Sequence, residues 1–473
     1  MNTTPASRPT TRSHRLLALL AACTLVATAC GSVASDSAAD VSSSESASFE
    51  AESGDSSAGE DSEIAVVDDA AESFEDSGDE EAMEDDGGES SAAVGDSVAE
   101  APSGIDAPRE LEDTPRPQAG LLTAGAIDDN LNHDYFSQLT ANWQQGEGRN
   151  VPFVELRDRV VIDVLGDNGV GIGNTELAIS DGTNETLVVT DSSGRAHVYT
   201  TWLGISVEDG LTVASDVGNF ELSAADLEQD VVLTADGDTS PPNSLDVALV
   251  LDVTGSMSDE LSYLTLEFDQ IVARLSEDHS NVDMRFAVVV YRDEGDDFVT
   301  RTLDFTGDLG EVRSWLQEQE ANGGGDFPEA MDAALSEAAQ LEWSGDSNTA
   351  RVLILNADAP PHNGDIARTL DISRDLAQDG VRLYSLAASG VDRNAEFIMR
   401  AMAATTGGQH LFLTADSGIG GEKLEPRAEC YQVTGLDDLL HSVLATELAG
   451  ERIEPNSTSV IRTVGEYDRG ICA

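Results

Sequence analysis

The chain has 473 residues and a formal net charge of −65, with 90 acidic residues against 25 lysines and arginines. This balance excludes nucleic acid as a partner, because a phosphate backbone requires a basic groove. The length is sufficient for two domains and additional segments. A single lysine, Lys423, is present, so nearly all of the positive charge is arginine.

The first 29 residues have the pattern of an export signal. Three arginines precede the apolar run Leu16–Ala29, which is too short to span a bilayer comfortably but fits a signal-peptide core of ~7–15 residues. The run ends in Ala-Thr-Ala-Cys-Gly at 27–31, which resembles a bacterial lipoprotein lipobox with Cys30 as the lipidated residue. The family prefers Leu where this chain has Ala27, so secretion and a retained membrane anchor are alternatives. We predict an exported protein held in the bacterial cell envelope by a lipid.

Residues 30–118 are rich in Ser, Ala, Gly, Asp and Glu; between Gly31 and Pro115 there are 27 acidic residues, with Arg109 as the only basic one. Such a segment cannot bury enough apolar surface to offset its conformational entropy, and its charges repel one another. We predict a disordered acidic tether. Residues 119–151 are expected to connect it to the next domain and to pack against that domain, with a short helix around Tyr135–Trp143.

Short runs that alternate apolar and polar residues fill 152–236, for example 159–164, 176–180 and 186–190. Turn sequences rich in Gly, Asp, Asn and Ser separate them. The spacing predicts an all-β sandwich. The order of strands and turns resembles the carboxypeptidase-regulatory or transthyretin-like module, which implies a spacer or stalk. The Asp and Asn residues could bind Ca²⁺, but we favour turn formation because there is no Asp-x-Asp-x-Asp-Gly loop.

Beyond a Pro-Pro linker, residues 244–450 show strands alternating with helices. The predicted strands are 245–251, 286–291, 299–305, 351–356, 381–387 and 410–413, and the predicted helices lie near 261–275, 312–316, 330–341, 366–377, 396–404 and 436–448. This order predicts a doubly wound α/β domain with a mostly parallel sheet, preceded by the smaller β-sandwich.

Oxygen-bearing side chains follow the strands that should flank the switch point of this sheet, where ligands collect. Asp252 ends the first strand, with Thr254 and Ser256 at alternate positions, and Asp358 follows a later strand. A glycine-rich turn at 323–325 precedes Asp326, and its glycines permit unusual backbone conformations. Carboxylate and hydroxyl oxygens suit a hard divalent cation. We predict that these five residues bind Mg²⁺, Ca²⁺ or Mn²⁺, with water completing six-coordination.

Each of these residues also has a simpler interpretation. Asp252 or Ser256 alone could be a helix N-cap. Asp326 and Glu329 could interact with a helix dipole, and Asp358 could form a turn. Their joint order favours metal binding.

Three polar residues beside these loops have less specific interpretations. His362 follows two prolines and is interpreted as a loop residue rather than a further ligand. Arg292 and Asp293 lie at a strand end and are interpreted as a local ion pair or as support for the site.

The same residues closely resemble the von Willebrand factor type A domain and its metal-ion-dependent adhesion site. The family pattern is Asp-x-Ser/Thr-x-Ser, then a Thr or Asp on a second loop and an Asp on a third. The sequences at 252–257, 291–293, 323–330 and 358–362 resemble the subgroup found in hemicentin-like proteins and beside alpha-kinases. Asp326 stands where integrin-like domains have Thr. Three carboxylates give the occupied site a formal charge near −1, so we expect tight metal retention and less dependence on a partner's carboxylate.

The resemblance implies a binding module that contacts protein partners through the metal face. One alternative is a structural subunit of an envelope complex in which the metal only staples the loops. A metal-dependent hydrolase could use the cation to activate water. We disfavour the hydrolase, and expect no enzyme, because the sequence has no nucleophile elbow, His-Glu-x-x-His, P-loop or assignable Ser-His-Asp pattern.

Cys430 and Cys472 are the two cysteines outside the N-terminal segment. In an exported protein, the simplest interpretation is that these two cysteines form a disulfide. It would close a loop of about 40 residues, contribute roughly 4 kcal/mol by the chain-entropy model, and clip the 451–473 tail onto the α/β domain.

Overall fold

A computed structural model describes residues 120–146, 148, 151–152, 154–236, 240–325 and 327–473. The predicted signal segment, Cys30, the acidic tether and Asp326 lie outside the described residues. No helix in the described part of the chain is long and apolar enough to cross a membrane.

The described chain begins with strand β1 (Thr123–Ile127) and helix α1 (His133–Gln145), which contains the helix expected around 135–143. A β-sandwich follows, with two sheets in the orders β5-β2-β8 and β4-β3-β6-β7. Buried side chains such as Ile162, Leu177 and Val198 form one core cluster within it. Its elements are β2 (Arg159–Gly166), β3 (Glu176–Ser180), β4 (Glu185–Val189), β5 (Arg195–Tyr199), the short helix α2 (Thr200–Leu203), β6 (Leu211–Ser215), β7 (Gly218–Leu222) and β8 (Val231–Ala235).

The rest of the chain alternates strands and helices around a nine-stranded sheet. These elements are β9 (Ser244–Asp252), α3 (Leu261–Asp278), β10 (Asp283–Tyr291), β11 (Thr300–Thr306), α4 (Leu309–Gln317), α5 (Met331–Ala339), β12 (Thr349–Ala357), α6 (Ile366–Gln378), β13 (Val381–Ala387), α7 (Arg393–Thr406), β14 (His410–Leu413), β15 (Tyr431–Gly435), α8 (Leu436–Ala449) and β16 (Arg462–Val464). The strand order is β11-β10-β9-β12-β13-β14-β1-β15-β16. Strands β10, β9, β12, β13 and β14 are parallel. The predicted α/β fold class is confirmed.

Strand β9 lies at the point where the strand order reverses, between β10 and β12. Eight of its nine residues are buried, because helices cover both faces of the sheet. Helix α3 buries Leu264, Phe268, Ile271 and Leu275 at helical spacing against one face. The carboxyl ends of β9 and β12 therefore meet at one edge of the sheet.

Strand β1 is an integral part of this sheet, whereas we expected residues 119–151 to connect the acidic segment to the next domain and to pack against that domain. It pairs antiparallel with both β14 and β15. Gly125 packs so tightly that a Cβ there would lie 2.5 Å from the ring of Phe412. The segment after β1 also contacts the sandwich, since the Tyr199 hydroxyl donates to Asn130 Oδ1 at 2.7 Å.

The C-terminal tail folds back onto the loop between β1 and α1. Cys430 and Cys472 form a disulfide with a Cα–Cα distance of 5.3 Å. The Cys472 amide donates to Asn132 Oδ1 at 2.9 Å, and Asn132 Nδ2 donates to the Gly470 carbonyl at 2.7 Å. The tail also supplies β16 and a small hairpin, β17 (Tyr467–Asp468) and β18 (Ile471–Cys472).

The sandwich packs near the amino end of β13. A Cβ on Gly380 would lie 3.0 Å from Val189 Cγ1 on β4, and the Arg374 guanidinium lies 4.7 Å from the Trp202 ring centroid. The seven residues of β13 span ~20 Å at about 3.3 Å per residue. The sandwich is thus at the edge of the sheet opposite to the carboxyl ends of the parallel strands.

Candidate metal site at the carboxyl edge of the sheet

The loop after β9 holds the first carboxylate in a fixed position. Asp252 is fully buried, and its Oδ1 accepts hydrogen bonds from the Thr254 amide at 2.9 Å and the Thr254 hydroxyl at 2.7 Å. The Thr254 and Ser256 hydroxyl oxygens are 3.1 Å apart. Within the described residues, neither Asp252 Oδ2 nor the hydroxyl of the neighbouring Tyr291, which is also buried, has a hydrogen bond of normal geometry.

The loop after β12 supplies the second carboxylate. Asp358 is 3% exposed and accepts a hydrogen bond from Ser256. Its Oδ1 has no hydrogen-bond partner among the residues that the structure describes. Four of the five predicted ligands therefore form one connected group, in the order Asp252, Thr254, Ser256 and Asp358.

The fifth predicted ligand, Asp326, lies outside the described residues, but the glycine turn that precedes it is described. Gly323 and Gly324 have φ values of +81° and +70°, a region that favours glycine. The Gly323 carbonyl accepts from the Gly255 amide at 3.1 Å, and the Asn322 amide donates to the Val253 carbonyl at 3.0 Å. The turn is thereby docked against the loop that carries Thr254 and Ser256.

Glu329 is a third buried acid at this edge. It is 4% exposed, and its amide donates to the Pro360 carbonyl at 3.0 Å. A Cβ on Gly324 would lie 2.8 Å from Glu329 Oε1 and 3.3 Å from Thr254 Cβ, which places this carboxylate beside the first loop. Glu329 Oε2 has no hydrogen bond within the described part of the chain. We interpreted this residue from sequence only as a helix-dipole acid; its place within the Gly-Gly-Gly-Asp-x-Pro-Glu motif was the available signal.

Burial and mutual repulsion dominate the electrostatics of these acids. Burial raises the pKa of Asp252 to about 7, with the charge of Asp358 adding to the effect and hydrogen bonds from Thr254 opposing it. Burial also raises the pKa of Glu329 to about 9, reinforced by the charges of Asp252 and Asp293. The pKa of Asp358 is raised by burial and by the charge of Glu260. A bound cation would relieve all three effects.

The donor chemistry fits a hard divalent cation. The Asp252 and Asp358 loops together offer two carboxylate oxygens that have no hydrogen bond within the described residues and the two hydroxyls of Thr254 and Ser256. No three His, Cys, Asp or Glu side chains within the described ranges converge closely enough to hold an ion by themselves. The site therefore depends on hydroxyl oxygens, on water, or on a residue such as Asp326 that lies outside those ranges.

Arg292 and Asp293 have separate partners, so the ion pair that we considered between them is corrected. Asp293 Oδ1 lies 2.7 Å from His362 Nε2. Arg292 donates to the Glu320 carbonyl at 2.8 Å and lies over the Phe298 ring. His362 and Asp293 thus link the loops after β12 and β10.

A buried ion pair fixes the end of the loop after β9. Lys423 Nζ lies 2.9 Å from Glu260 Oε1, 2.6 Å from Ser389 Oγ and 2.6 Å from the Ile419 carbonyl oxygen. The side chains of Lys423 and Glu260 are both 2% exposed. The connection between β14 and β15 is thereby joined to the loop that ends at Glu260 and to the loop after β13.

The von Willebrand factor A domain family model matches residues 246–414. The chain contains a von Willebrand factor A domain. This match covers the parallel strands and the loops that carry Asp252 and Asp358. A domain of this family supports a role in protein interaction or adhesion in general terms.

Two curated proteins resemble part of the chain. A putative ariadne-like RING finger protein of Acanthamoeba polyphaga mimivirus is 34% identical over 124 residues, which are 26% of this chain and 12% of that protein. An alpha-protein kinase of Dictyostelium discoideum is 25% identical over 156 residues, or 32% of this chain and 24% of the kinase. The chain therefore spans less than a quarter of the length of either relative.

Among solved structures, a conserved hypothetical protein, BatB, of Bacteroides thetaiotaomicron matches 36% of this chain and 89% of its own, at 15% identity and a TM-score of 0.27.

Proposed function

We propose that this chain is an exported, lipid-anchored binding protein that contacts a protein partner through a divalent cation on its von Willebrand factor A domain. The observation that carries the proposal is the connected group of Asp252, Thr254, Ser256 and Asp358. Two of its buried carboxylate oxygens have no hydrogen bond within the described residues. A cation held there by these residues and Asp326 would present positive charge to an oxygen donor of the partner.

The position of the site supports this role. The sandwich packs at the amino end of β13, so the carboxyl edge of the sheet is left for a partner. Phe327, in the loop between the glycine turn and α5, is 45% exposed and offers an apolar contact. A lipid on Cys30 would attach the chain to the membrane through the acidic residues 30–118, which lead into β1. Because β1 is antiparallel to β14, its first residue Thr123 lies at the carboxyl edge of the parallel strands, on the same side of the sheet as the site.

Asp326 should set how the cation is used. With three carboxylates the occupied site keeps a formal charge near −1, so the cation attracts a partner's carboxylate weakly. We propose that the site retains its cation tightly and recognises partners by more than one acidic side chain. Hydroxyl-rich ligation suits positioning better than lowering the pKa of a bound water, so we propose no catalytic activity.

The second candidate function is a structural subunit of an assembly, in which the cation only holds the site loops together. The observation that favours it is the direct contact between the site loops, since Gly255 bonds to Gly323 and Glu329 bonds to Pro360. In that case the cation would stabilise the fold, and partner contact would not depend on it.

The test begins with isothermal titration of the full chain with MgCl₂, CaCl₂ and MnCl₂, beside a double variant Asp252→Ala, Ser256→Ala. We expect saturable one-site binding that the double variant loses. Capture of envelope proteins is then compared with and without EDTA. Loss of capture supports the binding module, whereas unchanged capture with a lower melting temperature supports the assembly subunit. No binding by the wild type, or equal binding by the variant, would refute the metal site.

Lipid anchoring has its own test. Metabolic labelling with a radioactive fatty acid should mark the wild-type chain and not Cys30→Ala. Labelling of both chains, or of neither, would contradict the anchor.

A further inference from the structure

Glu329 is buried at the edge of the candidate metal site without a structural partner for one of its oxygens. The residue is 4% exposed, and Oε2 forms no hydrogen bond within the described residues. Other buried acids of the domain have cationic or hydrogen-bonding partners, since Glu260 pairs with Lys423 and Glu267 accepts from backbone amides such as that of Gly120. A buried carboxylate oxygen that has neither a cationic partner nor a hydrogen bond is unfavourable in the metal-free protein. We therefore expect a compensating positive charge beside it.

A role at the helix terminus does not account for Glu329. It precedes the N-cap residue of α5, Ala330, and the acid in the first turn of that helix is Asp332. Its backbone is fixed to the next loop by the bond to the Pro360 carbonyl and by a bridge to Pro361. The residue is therefore placed by the loops that form the site.

Its carboxylate faces the predicted ligands. Oε1 lies against Gly324 and near the side chain of Thr254, as the distances from a Cβ built on Gly324 show. Among its charged neighbours, Asp252 has the largest influence, and Asp358 also contributes. The three unbonded oxygens of Asp252, Asp358 and Glu329 come from three different loops of one edge.

We propose that Glu329 is a further cation-holding residue, which accepts a hydrogen bond from a water bound to the divalent cation. The proposal rests on the proposed function, because it requires the cation at Asp252 and Asp358. We assign this contact to a bound water rather than to direct ligation, because no three acidic, imidazole or thiol side chains of the described residues converge at ligand distance. Mg²⁺ in particular retains several of its waters in proteins.

The test compares Glu329→Gln with Glu337→Gln in the full chain. Glu337 is an exposed residue of α5, the helix that follows Glu329, so its substitution makes the same chemical change nearby without altering the site. Titration with MnCl₂ and MgCl₂ measures affinity, and thermal unfolding in EDTA measures the metal-free fold. We expect roughly tenfold weaker cation binding for Glu329→Gln and little change for Glu337→Gln, because a charge near a divalent ion outweighs a distant screened one.

In EDTA we expect Glu329→Gln to melt at or above the wild-type temperature, because burial already favours the neutral form of this side chain and the amide is neutral and of similar size. A lower melting temperature in EDTA would make Glu329 a structural residue and overturn the proposal. Equal cation affinity in the two variants would overturn it as well. If the wild type binds no cation, the proposed function fails first, so the two failures are distinguishable.

Discussion

The domain buries two groups of acids and treats them in opposite ways. Arg400, with a 2% exposed side chain, donates to both oxygens of Asp129 at 2.9 and 2.6 Å and to Glu396 at 3.1 Å. Asp252, Asp358 and Glu329 are equally buried, yet each keeps an oxygen without a hydrogen bond among the described residues. Arg400 thus compensates the two acids that it joins, whereas the three acids at the carboxyl edge have no such cation among the described residues.

The two groups of acids differ in the charges of their neighbours. The positive charge of Arg400 opposes the rise in pKa that burial causes at Asp129, and it helps to lower the pKa of Glu396. At the metal edge, neighbouring acids add to the effect of burial. An uncompensated carboxylate in a domain that otherwise pairs its buried acids is therefore a sign of function.

The largest expected change in the free energy of unfolding comes from the acids that Arg400 pairs, Asp129 and Glu396. Arg400→Met should lower the free energy of unfolding by about 3–5 kcal/mol, because it strands two buried carboxylates. Urea unfolding at fixed MgCl₂ measures the change. Arg157→Met, which removes a largely exposed arginine, is the control and should change little. If both variants unfold alike, the pairing at Arg400 is not what stabilises this group.

Lowering the pH should destabilise the same region of the fold, because His410 is buried there. Burial, aided by the charge of Arg400, lowers the pKa of His410 to about 3. The unfolded chain, with an ordinary pKa of about 6.5, takes up the proton first, so stability is lost as the pH falls below that value. We expect a loss of about 2 kcal/mol between pH 7 and 5.

The matched variant is His410→Asn, which can keep a hydrogen bond to Ser385. Urea unfolding at several pH values should show a smaller loss in this variant than in the wild type. Parallel pH profiles would show that His410 is not the source.

A smaller effect is expected at Asp326. Replacement by Thr removes one negative charge from the predicted ligand set, so cation affinity should fall roughly tenfold, or about 1.4 kcal/mol. Dependence on an acidic residue of the partner should rise, because the cation becomes more electrophilic. Titration and partner capture measure the two quantities; no change in either would refute the proposed role of Asp326.

The smallest change in unfolding free energy should come from Asp252→Asn in EDTA. The amide oxygen can still accept the two bonds from Thr254, while the repulsion by Asp358 disappears. We expect stability to be unchanged or raised by about 1 kcal/mol, with cation binding lost. A marked loss of stability would place Asp252 with the compensated group and break the comparison.

Local patterns predicted the parallel strands in chain order and the positions of the loops that carry Asp252 and Asp358. The continuous apolar run of β9, followed by Asp252, Thr254 and Ser256, carries both signals within 13 residues. The assignment of these residues and of Asp326 as cation ligands stays a prediction. The alternation at 299–305 predicted the edge strand β11, which the structure has at Thr300–Thr306.

The rest depended on contacts between distant residues. Strand β1 has five residues, of which three are glycine or alanine, and its place is set by partners near 411 and 434. Arg400 meets Asp129 across 271 positions, which no local periodicity reports. The burial of Glu329 follows from its bridge to Pro361, a contact between two irregular loops.

Lys423 gives the molecule an unusual chemical property. It is the only lysine in the sequence, and its amine is enclosed by Glu260, Ser389 and a backbone carbonyl. Acylating reagents and amine-directed cross-linkers will therefore find no accessible lysine while the loop around it is closed. The rate at which this amine is modified therefore reports how often the loop opens. Mass spectrometry can measure that rate at a single position.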